Sequence, residues 1–126
     1  MSKKIIFIGI ATTLIVTSII MLTNPLRKSQ EDIRNMILSE IPLGTSINDV
    51  KSYNSKKNWE LDYEWEGVPS KNSEDHYPAV KGSHIIGAYL GKYWGPLFRT
   101  DVDAFWGFNS SGKLIDFRIR KMTDAL

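Results

Sequence analysis

The sequence predicts an α+β fold: an N-terminal transmembrane helix, then two helices packed on a three- to four-stranded antiparallel sheet. Three observations support this prediction. Residues 5–26 contain no charged side chain, apolar residues recur at helical spacing between positions 33 and 41, and segments of alternating or aromatic-rich sequence follow position 59. Helices that precede strands along a chain favour one helical layer packed against one face of a sheet.

The uncharged segment is long enough to cross a membrane. Its 22 residues would make a helix of about 33 Å, and the hydrocarbon core of a bilayer is about 30 Å thick. The short basic tail with Lys3 and Lys4 favours an uncleaved anchor whose C-terminal domain lies outside the cytoplasm. A cleaved signal peptide and a buried helix are the alternatives. The predicted division is therefore an N-terminal membrane anchor or signal segment, 1–28, and a single extracytoplasmic α+β domain, 29–126.

The composition after the anchor argues against several classes of function. Residues 27–126 carry 14 basic and 14 acidic side chains, so electrostatic binding of nucleic acid is not expected. The chain has no cysteine, which removes thiol catalysis, thiolate metal sites and a lipid-modified N-terminal cysteine. Since no glycine-rich phosphate loop or other cofactor motif occurs, no cofactor is predicted.

Two short helices are predicted directly after the anchor. The first begins at Ser29, a residue suited to capping, and ends near Glu40, because Pro42 follows. Apolar residues at helical spacing give this helix one buried face. The second helix begins after Thr45 or Ser46, either of which can cap it, and fades near position 54.

Three or four strands are predicted in the second half of the chain. Residues 59–65 place aromatic side chains and a leucine at odd positions and acidic side chains at even ones, which is typical of a half-buried strand. Residues 83–94 form the next strand, and their glycines favour a bulge or close packing. Residues 99–108 and 113–122 form a hairpin around a turn at 109–112.

The side-chain pattern of this hairpin predicts its register. Apolar residues then share one face and opposite charges pair on the other, and a slip of one residue would break both patterns. The predicted pairs are Phe108–Lys113, Trp106–Ile115, Ala104–Phe117, Val102–Ile119, Asp103–Arg118 and Asp101–Arg120.

Two short motifs resemble small cell-envelope domains. Residues 42–50 resemble the entry to the second helix of domains of the SmpA/OmlA type, and residues 106–114 resemble their closing hairpin. The β-lactamase-inhibitor-protein repeat is similar in outline. The resemblance implies an extracytoplasmic domain that works by binding proteins and has no chemistry of its own. The chain departs from the SmpA/OmlA pattern in lacking a lipid-bearing cysteine, which suggests a single-membrane envelope.

A protein partner in the cell envelope is the predicted target, as for an assembly factor, an inhibitor or an immunity protein. Alternation puts Phe105 on the charged side of its strand, away from Trp106, so Phe105→Ala is expected to weaken binding and spare the fold. The loop at 67–82 is long enough to be functional. The predicted partner-binding residues are Glu60, Asp62, Glu64, Glu74, Asp75, His76, Tyr77, Phe105, Arg118 and Arg120.

Other functions stay open as alternatives. An envelope hydrolase would use Asp101, Asp103 and His84, although surface ion pairs explain the two aspartates as well. The surplus of aromatic residues also fits a cell-wall glycan-binding module. A calcium site would need more oxygen ligands than the acidic row at 60–66 supplies. No catalytic residue or metal ligand is assigned, and the oligomeric state is left open.

Overall fold

The structure, a computed structural model, describes residues 24–66 and 80–125. The strands form one antiparallel sheet in the order β1-β2-β3-β4, and the helices pack on one of its faces. This arrangement confirms the predicted α+β fold of two helices on an antiparallel sheet. The elements are a 3₁₀ turn (Pro25–Arg27), α1 (Gln30–Glu40), α2 (Ile47–Lys56), β1 (Glu60–Glu66), β2 (His84–Trp94), β3 (Phe98–Phe108) and β4 (Leu114–Ala125).

The predicted membrane anchor falls almost entirely on residues 1–23, outside the described part of the chain. Its last residues, Asn24 to Leu26, are described. Asn24 caps the 3₁₀ turn, to which Pro25 and Leu26 belong, and its side chain accepts a hydrogen bond from the Leu26 amide. Among the helices of residues 24–66 and 80–125, none is long and apolar enough to cross a membrane.

Serine side chains start both helices. The Ser29 hydroxyl accepts a hydrogen bond of 3.1 Å from the Asp32 amide, and the Ser46 hydroxyl accepts one of 3.2 Å from the Asp49 amide. These bonds satisfy amides that have no partner within their own helix. Thr45 instead donates its hydroxyl to the Pro42 carbonyl, so Ser46 is the cap of α2.

The main core lies between the two helices and the sheet. Trp106 of β3 and Phe117 of β4 stack at its centre with ring centroids 5.2 Å apart, and both are fully buried. The predicted apolar faces of the helices supply Ile33, Ile37 and Val50. The remaining buried members are Ile41, Ile86, Ala88, Leu90, Val102, Ala104, Phe108, Leu114 and Ile119.

The predicted register of the closing hairpin is wrong by two residues. Trp106 pairs with Phe117, and Asp103 pairs with Arg120. A shift of two residues keeps the side chains from Asp116 onward on their predicted faces, because side chains alternate along a strand. Ile115, which was predicted beside Trp106 on the apolar face, is instead 43% exposed, and Leu114 is buried in the core. The charged face therefore survives with different partners, and Asp101 lies opposite Met122.

The hairpin turn explains the shift. The Asn109 amide donates a hydrogen bond of 2.9 Å to the Lys113 carbonyl. The Asn109 side chain accepts hydrogen bonds from the amides of Ser111 and Lys113. The register then changes between Gly107 and Phe108, so that Ile115 is an extra residue in β4. A bulge of this kind adds one residue to one strand only.

A second bulge, at Asp62, corrects the prediction for β1. The register of β1 against β2 shifts between Leu61 and Tyr63 and skips Asp62. Trp59 therefore packs against the main core, whereas Tyr63 packs against a smaller cluster on the opposite side of the sheet. The predicted single aromatic face is wrong, because the bulge inverts the alternation halfway along the strand.

The smaller cluster consists of Val80, Ile85 and Phe105, with Tyr63 against it. The chain segment before β2 covers this cluster, and its Lys81 amide donates a hydrogen bond of 2.9 Å to Asp116. This segment passes close over β3 at Gly107. Only glycine fits there, since a Cβ atom would lie 1.9 Å from the Lys81 carbonyl oxygen. One end of the sheet face away from the helices is thus closed by the segment from position 80 onward.

Candidate functional site

The rest of that sheet face is not covered by this segment and carries four of the ten predicted contact residues, Glu60, Asp62, Arg118 and Arg120. Residues opposite each other in neighbouring strands share a face, which places these side chains together. We call this surface the open sheet face, formed by Glu60, Asp62, Tyr89, Arg99, Asp101, Asp103, Arg118 and Arg120.

An ion pair between Asp103 and Arg120 forms the centre of the open sheet face. The Arg120 Nη2 atom donates a hydrogen bond of 2.7 Å to Asp103 Oδ2, and the side chains are 20% and 11% exposed, respectively. The Arg120 guanidinium also lies 5.1 Å from the centroid of the Phe105 ring. A charge-assisted hydrogen bond together with this cation–π contact fixes the guanidinium plane.

Tyr89 and Asp101 form a second fixed group. The Tyr89 hydroxyl donates a hydrogen bond of 2.7 Å to Asp101 Oδ1, and Arg99 donates one of 3.2 Å to Asp101 Oδ2. Burial, reinforced by the hydrogen bond to the carboxylate, raises the pKa of Tyr89 to about 12. Tyr89 is 36% exposed, so its ring faces solvent while its hydroxyl is held in place.

The bulge brings Asp62 towards the central ion pair. Partial burial raises the pKa of the Asp62 carboxyl, and the negative charge of Asp103 raises this pKa further. The positive charge of Arg120 acts in the opposite direction. The resulting surface has an acidic edge along β1 and basic side chains along β4.

The predicted acidic row does not form one surface. Glu64 lies beyond the bulge on the helical side, where its carboxylate accepts a hydrogen bond from Lys51 at 2.9 Å and contacts His84 at 2.9 Å. The hydrogen bonds from Lys51 and His84 lower the pKa of Glu64. Glu60 and Asp62 stay on the open sheet face, so the row is divided between two faces.

Phe105 occupies the predicted side of β3, yet the prediction that a partner can reach it is wrong. The side chain is 3% exposed and packs within the smaller cluster. Gly87 makes room for it, because a Cβ atom there would lie 2.9 Å from the Phe105 ring. Phe105→Ala is therefore expected to destabilise the fold and not to spare it.

The structure separates the residues of the hydrolase hypothesis. His84 lies opposite Phe108, whereas Asp101 lies seven residues earlier on β3, a distance of about 23 Å at roughly 3.3 Å per residue. Within residues 24–66 and 80–125, no three histidine, aspartate or glutamate side chains are grouped so as to hold a metal ion. Four predicted contact residues lie outside the described residues: Glu74, Asp75, His76 and Tyr77.

Sequence reasoning missed an exposed apolar turn between β2 and β3. Trp94, Leu97 and Phe98 are 46%, 67% and 47% exposed. The available signal was the apolar character of the residues around Gly95-Pro96, where a tight turn ordinarily carries polar side chains. This turn lies beside the 3₁₀ turn at the start of the described chain, because Arg27 donates a hydrogen bond to the Trp94 carbonyl.

Comparisons with known proteins add no functional assignment. The resemblance to domains of the SmpA/OmlA type stays a prediction that rests on the two motifs named above. The chain matches no protein-family model, no curated protein and no solved structure.

Proposed function

We propose that this chain is a membrane-anchored extracytoplasmic domain that binds another protein of the cell envelope. The observation that carries the proposal is the open sheet face, whose charged and aromatic side chains are held in place by one another. Arg120 is fixed by Asp103, and Tyr89 is fixed by Asp101. Assembly, inhibitory and immunity roles would all use such a surface.

Fixed side chains favour binding for an entropic reason. A long side chain that becomes ordered only in the complex costs roughly 0.5–1.5 kcal/mol of binding free energy. The described contacts order the Arg120 and Tyr89 side chains before any partner arrives. Tyrosine and arginine are also among the residues that most often dominate binding energy at protein interfaces.

The charge distribution favours a partner with both signs of charge. Glu60 and Asp62 form the acidic edge, and the Arg118 side chain is 53% exposed on the basic side. Complementary charges on a partner would set its orientation and speed its association. The uncharged segment at 5–26 supports membrane anchoring, and the short basic tail before it supports an extracytoplasmic domain.

Site-specific photocrosslinking tests the partner surface. A photoreactive amino acid is introduced in place of Arg118 in the full chain, which is expressed in the organism that produces it. In the matched control, the photoreactive amino acid takes the place of Asn35, which is exposed on α1. We expect one defined crosslinked species at position 118, none at position 35, and loss of that species on Tyr89→Ala. No product at position 118, or the same products at both positions, would contradict the proposal.

Protease treatment of intact cells tests the orientation. With a C-terminal tag on the full chain, we expect external protease to remove the tag while a cytoplasmic control protein survives. A protected tag would show that the domain faces the cytoplasm and would refute the extracytoplasmic part of the proposal.

A further inference from the structure

We propose that the turn between β2 and β3 is a second membrane contact, which inserts into the surface of an anionic bilayer beside the N-terminal anchor. This inference rests on the proposed function, because it takes the anchor to be embedded in a membrane. We call residues 94–98 the hairpin tip. Its occupant is a lipid surface with negatively charged headgroups.

The hairpin tip presents apolar side chains in a fixed shape. Trp94, Leu97 and Phe98 are each about half exposed or more, within five consecutive residues. The Gly95 amide donates a hydrogen bond of 2.7 Å to the Phe98 carbonyl, which closes the turn. Adjacent exposed apolar side chains mark interaction sites, and tryptophan is enriched at the level of lipid headgroups.

The place where the anchor enters the domain lies beside the hairpin tip. Arg27 Nη2 donates a hydrogen bond of 2.7 Å to the Trp94 carbonyl, and its guanidinium lies 5.0 Å from the Tyr93 ring centroid. Leu26 packs against the main core. The uncharged segment ends at Leu26, directly before Arg27, so these contacts adjoin the predicted anchor. A membrane-embedded anchor would therefore hold the hairpin tip near the bilayer.

Basic side chains surround the apolar tip. Lys92 Nζ lies 5.8 Å from the Trp94 ring centroid, and Lys121 Nζ lies 5.0 Å from the Tyr93 ring centroid. Lys121 also donates a hydrogen bond to the carbonyl of Lys28. This bond places the residues that follow the predicted anchor beside Tyr93 and Lys121. The nearby acidic residues are Asp101 and Asp124, both next to Arg99 in the sheet.

We call Arg27, Lys92 and Lys121 the basic ring; an apolar tip beside these side chains matches an anionic bilayer. The apolar side chains would enter the boundary between headgroups and acyl chains, and the lysines and arginines would contact the headgroups. A second copy of the chain would explain the exposed apolar groups but not the basic ring, since each copy would bring the same charge. Lipid is therefore the favoured occupant.

The absence of cysteine from the chain makes a direct test simple. Leu97→Cys carries a polarity-sensitive fluorophore in the full chain, reconstituted into vesicles of phosphatidylcholine with or without phosphatidylglycerol. The matched control is Leu43→Cys, because Leu43 is 56% exposed and its loop contacts the opposite end of the sheet near Leu114. We expect several-fold stronger quenching by lipid-borne quenchers at position 97 than at position 43, and more in anionic vesicles.

A charge reversal tests the basic ring separately. Lys92→Glu should reduce the quenching at position 97 in anionic vesicles and leave it unchanged in neutral ones. Lys113→Glu is the matched control, because Lys113 is exposed at the turn between β3 and β4, at the far end of the sheet. Equal effects of the two reversals would refute the role of the ring.

Membrane retention distinguishes failure of this inference from failure of the anchor. If the chain floats with the vesicles after alkaline extraction while the probe at position 97 reports water in both lipids, the hairpin contact is refuted and the anchor stands. Quenching that follows protein concentration rather than lipid quencher would show a contact between copies and refute lipid as the occupant. Loss of the chain from the vesicles would refute both proposals.

Discussion

Phe105 and Phe98 lie on the same strand in very different surroundings. Phe105 is 3% exposed and fills the smaller cluster, whereas Phe98 is 47% exposed at the hairpin tip. The difference arises from the segment at position 80, which crosses β3 over Phe105. A phenylalanine's contribution to stability therefore depends here on the covering segment and not on its strand.

Phe105→Ala is expected to lower the free energy of unfolding by about 3–5 kcal/mol, because it removes buried apolar surface and leaves a cavity. Phe98→Ala, the matched control, should change it by less than about 0.5 kcal/mol. Urea denaturation of the full chain in detergent micelles, followed by tryptophan fluorescence, measures both. Similar midpoints for the two variants would contradict the assignment of Phe105 to a buried cluster.

The sequence could predict which side of β3 holds Phe105 but not its burial. Alternation along a strand is a local property, so the opposition of Phe105 and Trp106 follows from their adjacent positions. Burial depends on Val80, which approaches from a segment that has no periodic pattern. Gly87 and Gly107 leave the required space, and only the assembled sheet shows what occupies it.

At the scale of elements, bulges in the sheet determine which residues share a surface. The Asp62 bulge moves Glu64 to the helical side, where Lys51 of α2 and His84 of β2 bind it. The same bulge leaves Asp62 on the open sheet face. One extra residue thus converts a row of like charges into two separate electrostatic environments.

Glu64 should make the stability of the domain depend on pH at the acidic end. Its hydrogen bonds from Lys51 and His84 lower its pKa in the folded state below the ordinary value of 4.5. The unfolded chain therefore takes up the proton first as pH falls. The stabilisation is complete above about pH 4.5 and is lost as pH falls through the lowered folded-state pKa.

Glu64→Gln is expected to flatten this acidic dependence. At pH 7 the variant should be less stable than the parent, and below the lowered pKa of Glu64 the difference should disappear. Glu60→Gln on the same strand is the matched control, because Glu60 lies on the opposite face. Denaturation midpoints measured from pH 3 to pH 7 test this, and a constant difference over that range would refute it.

Element bounds were predictable from the sequence, whereas strand pairing was not. Serine caps and Pro42 are local signals, so the predicted limits of the first helix agree with α1. Strand pairing depends on whether a strand contains an extra, unpaired residue. Asp62 and Ile115 are such residues, and they carry no distinctive sequence signal. The predicted residues Glu60, Asp62, Arg118 and Arg120 therefore lie on the open sheet face, with pairings other than those predicted. Glu64 and Phe105 do not belong to this surface.

At the scale of the whole molecule, the N-terminal entry segment is part of the folded layer. Leu26 packs against the main core, and Arg27 binds the end of β2. These contacts lie on the anchor side of the predicted boundary between positions 28 and 29, and the boundary itself stays a prediction. The packing of Leu26 against the core was not predictable, because Leu26 is the last residue of an uncharged segment that was assigned to the membrane anchor.

Leu26→Ala is expected to lower the free energy of unfolding by about 1 kcal/mol, because a half-buried leucine contributes about half of the roughly 1.5–3 kcal/mol of a fully buried one. Leu43→Ala should have a smaller effect, since Leu43 is 56% exposed. Urea denaturation of the full chain in micelles gives both values. An effect of Leu26→Ala no larger than that of Leu43→Ala would show that the entry segment is not part of the folded layer.

The length of β3 sets how far the domain reaches from a membrane. The strand has 11 residues between the hairpin tip and the opposite turn, or about 35 Å at roughly 3.3 Å per residue. With the tip at the bilayer and a rigid entry segment, the open sheet face would stay within that height above the lipid. Its partners would then be proteins that are embedded in, or tethered to, the same membrane, because a target fixed deeper in the cell wall would lie out of range.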